Sequence, residues 1–312
     1  TLLGLDLGSS SVKIVHLKVS GKKVTLDDMV ILPLSNGAIE GGDVVNPDIV
    51  TSAIQQGLEK KAYNKHQVAL GMFGSSVIVK KISMPRMDEK IVSEQLRWEA
   101  EQYIPFSIDE AVFDFHILPT GQEKETMDVL LVAARQEHLF RYLSAVEGAG
   151  LKCAVIDVNG LALANCFEFN YGRQAETIAL VNVGASVSNL VIIESGNVTF
   201  SRDIPFGGVL YDSEIARELG VGQMEAESLK LGVAFEQETP QEVISSIQFV
   251  NDSISQEINN SFEFYKSSST VSKVSHIFMS GGAAQTPGLI EKIQETTQVG
   301  CALFDPLQNI KV

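Results

Sequence analysis

Three short strings of small residues carry the chemistry this sequence offers. Gly8-Ser9-Ser10-Ser11 and Gly184-Ala185-Ser186 each sit between two strand-like apolar runs. A hairpin tip of this kind turns backbone N–H groups outward and has no bulky Cβ to block a phosphate. Asp6, at the base of the first tip, suits a magnesium ion held through water, because magnesium keeps much of its hydration shell. Lys13, two residues beyond the tip, can bring an ammonium to the same phosphate. Ser280-Gly281-Gly282-Ala283 is a third such turn, between a strand and a helix start, where anions are favoured. Each string alone also reads as an ordinary tight turn. The ordered set of three is what has force.

No other constellation competes. His16, His66, His116, His138 and His276 are scattered and read as surface or strand residues. There is no G-x-x-x-x-G-K-[ST], no H-E-x-x-H and no G-x-S-x-G. Cys153, Cys166 and Cys301 are odd in number and widely spaced, which suits neither a disulfide framework nor a zinc site. They read as buried thiols in a reducing cytosol.

The elements that must position these turns follow from patterning. The opening reads as a strand–turn–strand over Leu2–Leu17, then a strand near Thr25–Leu34. Asn46 caps a helix with Pro47 at its first position, running to about Ala62, and a strand follows at Gln67–Met72. Between Ser75 and Gly150 the texture changes to a small α+β insertion. It holds a strand from Val77, a helix at Asp88–Gln102, two strands around a polar loop, and a helix at Gln136–Glu147. Then the opening repeats: Asp6-Leu-Gly-Ser-Ser-Ser-Val-Lys-Ile-Val15 lies over Asn182-Val-Gly-Ala-Ser-Val-Ser-Asn-Leu-Val191, 176 residues on. That period suits a duplicated domain rather than a solenoid. Helices follow from Leu210 to Ser267, and the last helix is expected to start with Thr286 as N-cap and Pro287 at its first position.

Composition narrows the function. The 312 residues include 24 Lys+Arg against 39 Asp+Glu, a net charge of -15. This disfavours nucleic acid, whose affinity comes largely from cations on phosphates, and docking on an anionic membrane through a basic patch. Solubility alone is the plainer account of such a charge. No apolar run reaches the ~18 residues of a membrane span, and no signal peptide is expected. The chain starts at Thr1 inside a strand-like run, so it is expected to be a trimmed piece of a longer chain.

The order Asp6-x-Gly8, Asn182-x-Gly184, Gly281-Gly282 resembles the phosphate-1, phosphate-2 and adenosine motifs of the actin-like ATPase superfamily. Within it the sequence is similar to the PilM family of the type IV pilus machinery. The match rests on Gly4-Leu-Asp-Leu-Gly-Ser-Ser-Ser-Val-Lys13, Val132-Ala-Ala-Arg-Gln136, Pro205-Phe-Gly-Gly208 and, most specifically, Leu96-Arg-Trp-Glu-Ala-Glu-Gln-Tyr-Ile-Pro-Phe106 in the insertion. The resemblance covers nearly the whole chain. It implies an α/β, ribonuclease H-like duplicated fold with subdomains like those of FtsA. These would be 1A in 1–74 and 151–174, 1C in 75–150, 2A in 175–206 and 273–312, and 2B in 207–272. It implies ATP or ADP with Mg in the cleft between halves, cradled by the three turns. Subdomain 2B would bring Glu227 and Lys230 to the sugar and base; an exposed i,i+3 charge pair is nearly as good an account of those two.

Two departures bear on hydrolysis. The phosphate-2 position usually holds Asp; here it is Asn182, which cannot take a proton from water. The residue that relatives use to orient the attacking water aligns with Asn159, or in another register with Asp157. The expectation is nucleotide binding with slow hydrolysis. The resemblance further implies a cytoplasmic protein, peripheral to the inner membrane, that holds the N-terminal tail of PilN between 1A and 1C and joins other pilus assembly proteins. Trp98, Tyr103 and Phe106 would line that groove, although a place in the insertion's own core suits Trp98 at least as well. The competing expectations are a self-associating, filament-forming FtsA-like protein and a small-molecule kinase. Asn182 and the insertion argue against the kinase.

Overall fold

The structure, a computed structural model, describes residues 2–61, 67–119, 125–234, 238–268 and 273–312. Thr1, His66 and the expected helix end at Ala62 lie outside the described residues.

The chain opens with β1 (Leu2–Leu7), β2 (Ser11–Ser20) and β3 (Lys23–Pro33), an antiparallel meander, then a two-stranded ribbon of β4 (Ile39–Glu40) and β5 (Asp43–Val44). Alternation in β1 sends Leu3, Leu5 and Leu7 into the core and Gly4 and Asp6 to the other face. Helix α1 (Pro47–Lys61) leads to β6 (Gln67–Met72). The insertion begins with β7 (Val77–Pro85), α2 (Glu89–Ala100), β8 (Ala111–Ile117) and β9 (Thr126–Arg135), whose sheet order is β7-β9-β8. In α2 the stripe Val92, Leu96 and Ala100 packs onto Ile82, Met84, Val129 and Leu131, giving the insertion a core of its own. Next come α3 (Gln136–Gly148) and β10 (Lys152–Val158). Helix α3 buries Tyr142, Ala145 and Val146 in the core of the first sheet, not in that of the insertion. The first sheet runs β10-β6-β1-β2-β3.

Helix α4 (Asn159–Tyr171) crosses to the second half, packing Ala164 and Phe167 on Ile178, Leu180, Val191 and Ile193. The hairpin β11 (Ile178–Val183) and β12 (Ser188–Glu194) then continues into β13 (Asn197–Ile204). Helices α5 (Val209–Leu219), α6 (Gln223–Ala234) and α7 (Gln241–Ser268) follow, then β14 (His276–Ser280), α8 (Leu289–Thr297) and β15 (Gly300–Leu303). The second sheet runs β15-β14-β11-β12-β13, with the same parallel and antiparallel pattern as the first. The duplication holds at the level of register. Asp6 pairs with Lys13 as Asn182 pairs with Asn189, each partner 176 residues from its counterpart. Strands β11 and β12 are covered on both faces, by α4 on one side and by α5, α7 and α8 on the other, which is why they read as continuous apolar runs.

Three expectations change. Helix α8 starts at Leu289, not at Pro287, because Gly288 adopts a left-handed conformation (φ 79°) that ends the preceding turn. Gly282–Gln285 already forms one turn of 3-10 helix before it. The cysteines are half-buried rather than buried, and burial pushes the Cys301 thiol up to about 12. His138 is neither on a strand nor at the surface. It is buried on α3, with Nδ1 against the Asp43 carboxylate and Nε2 3.2 Å from the Phe73 carbonyl oxygen.

Candidate functional site

The two hairpin tips meet between the sheets. Gly8 N–H bonds the Ser11 carbonyl at 3.0 Å, and Gly184 N–H bonds the Val187 carbonyl at 3.2 Å, the same turn in both copies. Ser9 Oγ and Ser186 Oγ lie 2.5 Å apart, so the tips face each other. The next residue of the second tip, Val187, is 6% exposed and packs into the core of the first half.

Around the first tip, Lys13 Nζ donates to Asp6 Oδ2 at 2.7 Å, with both side chains near half-exposed. The cation and carboxylate expected to serve a phosphate and a metal hold each other beside Gly8. In the register of the first sheet, Asp6, Gly71 and Asp157 form one row. Asn159, the first residue of α4, lays its amide oxygen directly over Gly71, where no Cβ would fit. Burial pushes the Asp157 carboxyl up, against a 2.8 Å bond from the Val158 N–H.

The second tip is held from behind. Gly208 N–H and Val209 N–H, at the start of α5, donate to the carbonyls of Gly184 and Ala185 at 2.9 Å each. A Cβ at Gly207 would run into those same carbonyl oxygens, so Pro205-Phe-Gly-Gly208 is the seat of the tip. The third turn converges on the same place. A Cβ at Gly208 would be 3.4 Å from Ala283 Cβ. Gly281, at φ 93°, approaches Val183 O and Asn182 Oδ1 so closely that only glycine fits.

Asn182 is the centre of a row of polar side chains across the second sheet. Ser280 Oγ donates to Asn182 Oδ1 at 3.4 Å, Asn182 Nδ2 to Asn189 Oδ1 at 3.0 Å, and Asn189 Nδ2 to Asp203 Oδ1 at 2.7 Å. The other Asp203 oxygen takes the N–H of Gly74 from the first half at 2.6 Å. Burial pushes the Asp203 carboxyl up. It also pushes the Tyr142 phenol up, with Asp6, Asp43 and Asp203 acting the same way. Asn189 and Asp203 were missed in the sequence. The repeat held the signal for Asn189, since it stands where Lys13 stands in the first copy.

Lys230 and Glu227 lie on α6. The Lys230 ammonium is 2.6 Å from Asp212 Oδ1 on the first turn of α5, both side chains largely buried. Lys230 is thus clamped to α5 rather than paired along its own helix with Glu227.

A groove of about 580 Å³ opens between α3 and the insertion, lined by Pro47, Glu110, Arg135, Gln136, Phe140 and Arg141. Phe140 is 59% exposed there. Of the three aromatics expected in such a groove, Phe106 is not among its lining residues but lies under the guanidinium of one of them, Arg135, at 4.9 Å. Trp98 and Tyr103 are not among its lining residues. Trp98 is 75% exposed, which also excludes it from the insertion's core, because it lies off the Val92–Leu96–Ala100 stripe.

Duplicated five-stranded sheets, joined through facing hairpin tips and backed by a glycine turn, define a protein of the actin-like ATPase fold. The family model of the type IV pilus assembly protein PilM matches residues 4–312, and the chain belongs to that family. The solved PilM–PilN type IV pilus biogenesis complex contains a chain with a TM-score of 0.89 and 28% identity, covering 100% of this chain and 90% of that one. MreB5 of Spiroplasma citri, solved with AMPPNP, has a TM-score of 0.54 at 12% identity, over 97% of this chain and 90% of that one. The cell division protein FtsA of Bacillus subtilis is 21% identical over 277 residues, 80% of this chain and 62% of FtsA. The chain thus spans less than two thirds of that curated relative.

Proposed function

We propose that this protein is an ATP-binding scaffold of the type IV pilus assembly machinery that holds the N-terminal tail of PilN. The observation that carries this reading is the whole-chain likeness to a chain of a PilM–PilN complex, within a family to which this chain belongs. The groove between α3 and the insertion fits a peptide segment. It offers an exposed Phe140 for an apolar side chain, and Arg135 and Arg141, paired there with Glu110 and Glu137, would exchange those partners for carboxylates of the peptide. The division that suits this reading counts α3 with subdomain 1A and narrows 1C to 75–135.

The nucleotide site is the cleft of the two tips. Gly8, Ser9, Ser10 and Ser11 with Gly184, Ala185 and Ser186 would cradle phosphates of ATP or ADP. Gly281, Gly282 and Ala283 would lie along the nucleoside. Lys13 would exchange Asp6 for a phosphate, freeing Asp6 to hold a magnesium-bound water. Asn182 and Asn159 are amides at the positions of base and water-orienting residue, so hydrolysis is slow; a missing general base removes about 10²–10⁴ in rate. Among the described residues no helix is long and apolar enough to cross a membrane. A protein of this charge is best held at the inner membrane through its partner, on the cytoplasmic side.

Calorimetry of a PilN-tail peptide, with and without ATP–Mg, tests both parts. Micromolar or tighter peptide binding is expected, weakened at least tenfold by Phe140→Ala with Arg141→Ala. No peptide binding sinks the scaffold reading, and no heat with ATP–Mg sinks the nucleotide reading.

A further inference from the structure

We propose that Asp203 is a latch that couples the cleft to the insertion, so that what binds at Asn182 resets the groove beside α3. The proposal rests on reading the cleft as the nucleotide site and supplies its regulation.

The geometry is a single chain of bonds in which every donor points towards Asp203, from Ser280 through Asn182 and Asn189 on one side and from Gly74 on the other. Asp203 is half-buried on β13 of the second half, and each of its oxygens is used. Oδ2 takes the Gly74 N–H at 2.6 Å. Gly74 belongs to the link between β6 and β7, the entry to the insertion, and its own carbonyl takes the Val77 N–H at 3.0 Å. Next to it, the Ser76 carbonyl takes the Arg135 N–H at 3.0 Å, where β9 leaves the insertion. Gly74 has no slack, since it sits at φ 105° against the Gly41 carbonyl. A shift of this peptide therefore moves both strands that tether the insertion, and Arg135 is itself a groove residue.

The other oxygen governs the cleft. An ionised carboxylate only accepts, so Asn189 must turn its NH₂ toward Asp203 and its oxygen toward Asn182. Asn182 must then turn its NH₂ toward Asn189 and its oxygen toward Ser280 and the Gly281 turn. Asp203 thus makes Asn182 an acceptor at the phosphate-2 position. A phosphate oxygen there is also an acceptor and draws the opposite end of the amide. Turning Asn182 breaks its bond to Asn189, which loosens Asp203 and with it Gly74. Bonds in such a chain strengthen one another, so the loss is shared along it. The same linkage run backwards makes a ligand in the groove alter nucleotide affinity by the same factor.

The test compares wild type, Asp203→Asn and Asp203→Ala by two readouts. The first is PilN-tail peptide affinity with and without ATP–Mg. Wild type should show a ratio of about 5–150, the usual range of coupling between sites. Asp203→Asn keeps the shape but offers an NH₂ where only acceptors stood, and its ratio should fall to within about twofold of one. A wild-type ratio of one, or a ratio unchanged in Asp203→Asn, overturns the proposal. The second readout needs no nucleotide: hydrogen exchange of the Gly74 amide should quicken at least tenfold in Asp203→Ala. If that variant does not fold, Asp203→Asn serves, with a smaller increase. Unchanged exchange overturns the latch. Absence of ATP–Mg binding to wild type instead defeats the nucleotide reading, and the exchange experiment then still decides whether Asp203 holds Gly74.

Discussion

Lys230→Met asks whether the α5–α6 clamp is structural. The Lys230 ammonium lies 2.6 Å from Asp212 Oδ1, with the two side chains 16% and 12% exposed. Methionine keeps the apolar stem and removes the charge. Stranding one member of a fully buried pair costs about 3–5 kcal/mol; both groups here still touch water, so about 2 kcal/mol is expected at pH 7. The pH dependence has a fixed sign. Burial holds the Asp212 carboxyl above its ordinary value, and Lys230 pulls it back down. A carboxyl raised in the folded state favours folding while protonated and loses that advantage as pH rises through its raised value. Removing Lys230 raises it further, so the deficit is greatest at pH 7 and shrinks toward pH 5. Urea unfolding followed by far-UV circular dichroism measures it; fluorescence does not serve, because the lone tryptophan, Trp98, sits on the insertion. Adding Asp212→Asn to Lys230→Met should restore at least half of the loss. A Lys230→Met protein within about 0.5 kcal/mol of wild type at pH 7, the range of ordinary surface changes, refutes the clamp.

Three further outcomes follow from the same geometry. Gly207→Ala forces a Cβ onto the Gly184 and Ala185 carbonyls, so it should destabilise by about 2 kcal/mol and weaken ATP binding more than tenfold; thermal melting and calorimetry check this. Trp98→Ala removes an exposed ring and should shift stability by no more than about 0.5 kcal/mol, measured by urea denaturation. Purified protein should release phosphate from ATP at about 0.1 per second or slower, given typical turnover of about 10 per second reduced at least ~10²-fold by a missing base; a malachite-green assay giving several per second contradicts the amide reading of Asn182 and Asn159.

The duplication was legible because it is written locally. The two tips share Gly and Ser at the same positions, and the turn bonds of Gly8 and Gly184 repeat with them. The elements were legible for the same reason, since apolar period and caps act within a few residues. What escaped depends on distant partners. The place of α3 in the first core rests on Tyr142 reaching the Gly42 carbonyl, 100 residues away, at 2.7 Å. Asp203 meets Gly74 across 129 residues, and nothing beside either announces the other. Lys230 chose Asp212 on a neighbouring helix over Glu227 on its own, a choice that tertiary packing makes. Trp98 is the exception, because its phase on α2 already set it off the apolar stripe.

Val187 gives the cleft a mechanical character. It is a peg from one half seated in the oily interior of the other, immediately beside the tip that meets Ser9. Drawing a valine fully into water costs about 1.5–3 kcal/mol, so conformations with the peg withdrawn make up about one part in ten to one in a hundred or so. A ligand that enters only when the peg is out binds with its intrinsic affinity reduced by that fraction. The seat of Val187 therefore favours motions of the two halves that keep the peg in its socket, and any ligand whose entry needs it withdrawn carries that cost in its affinity.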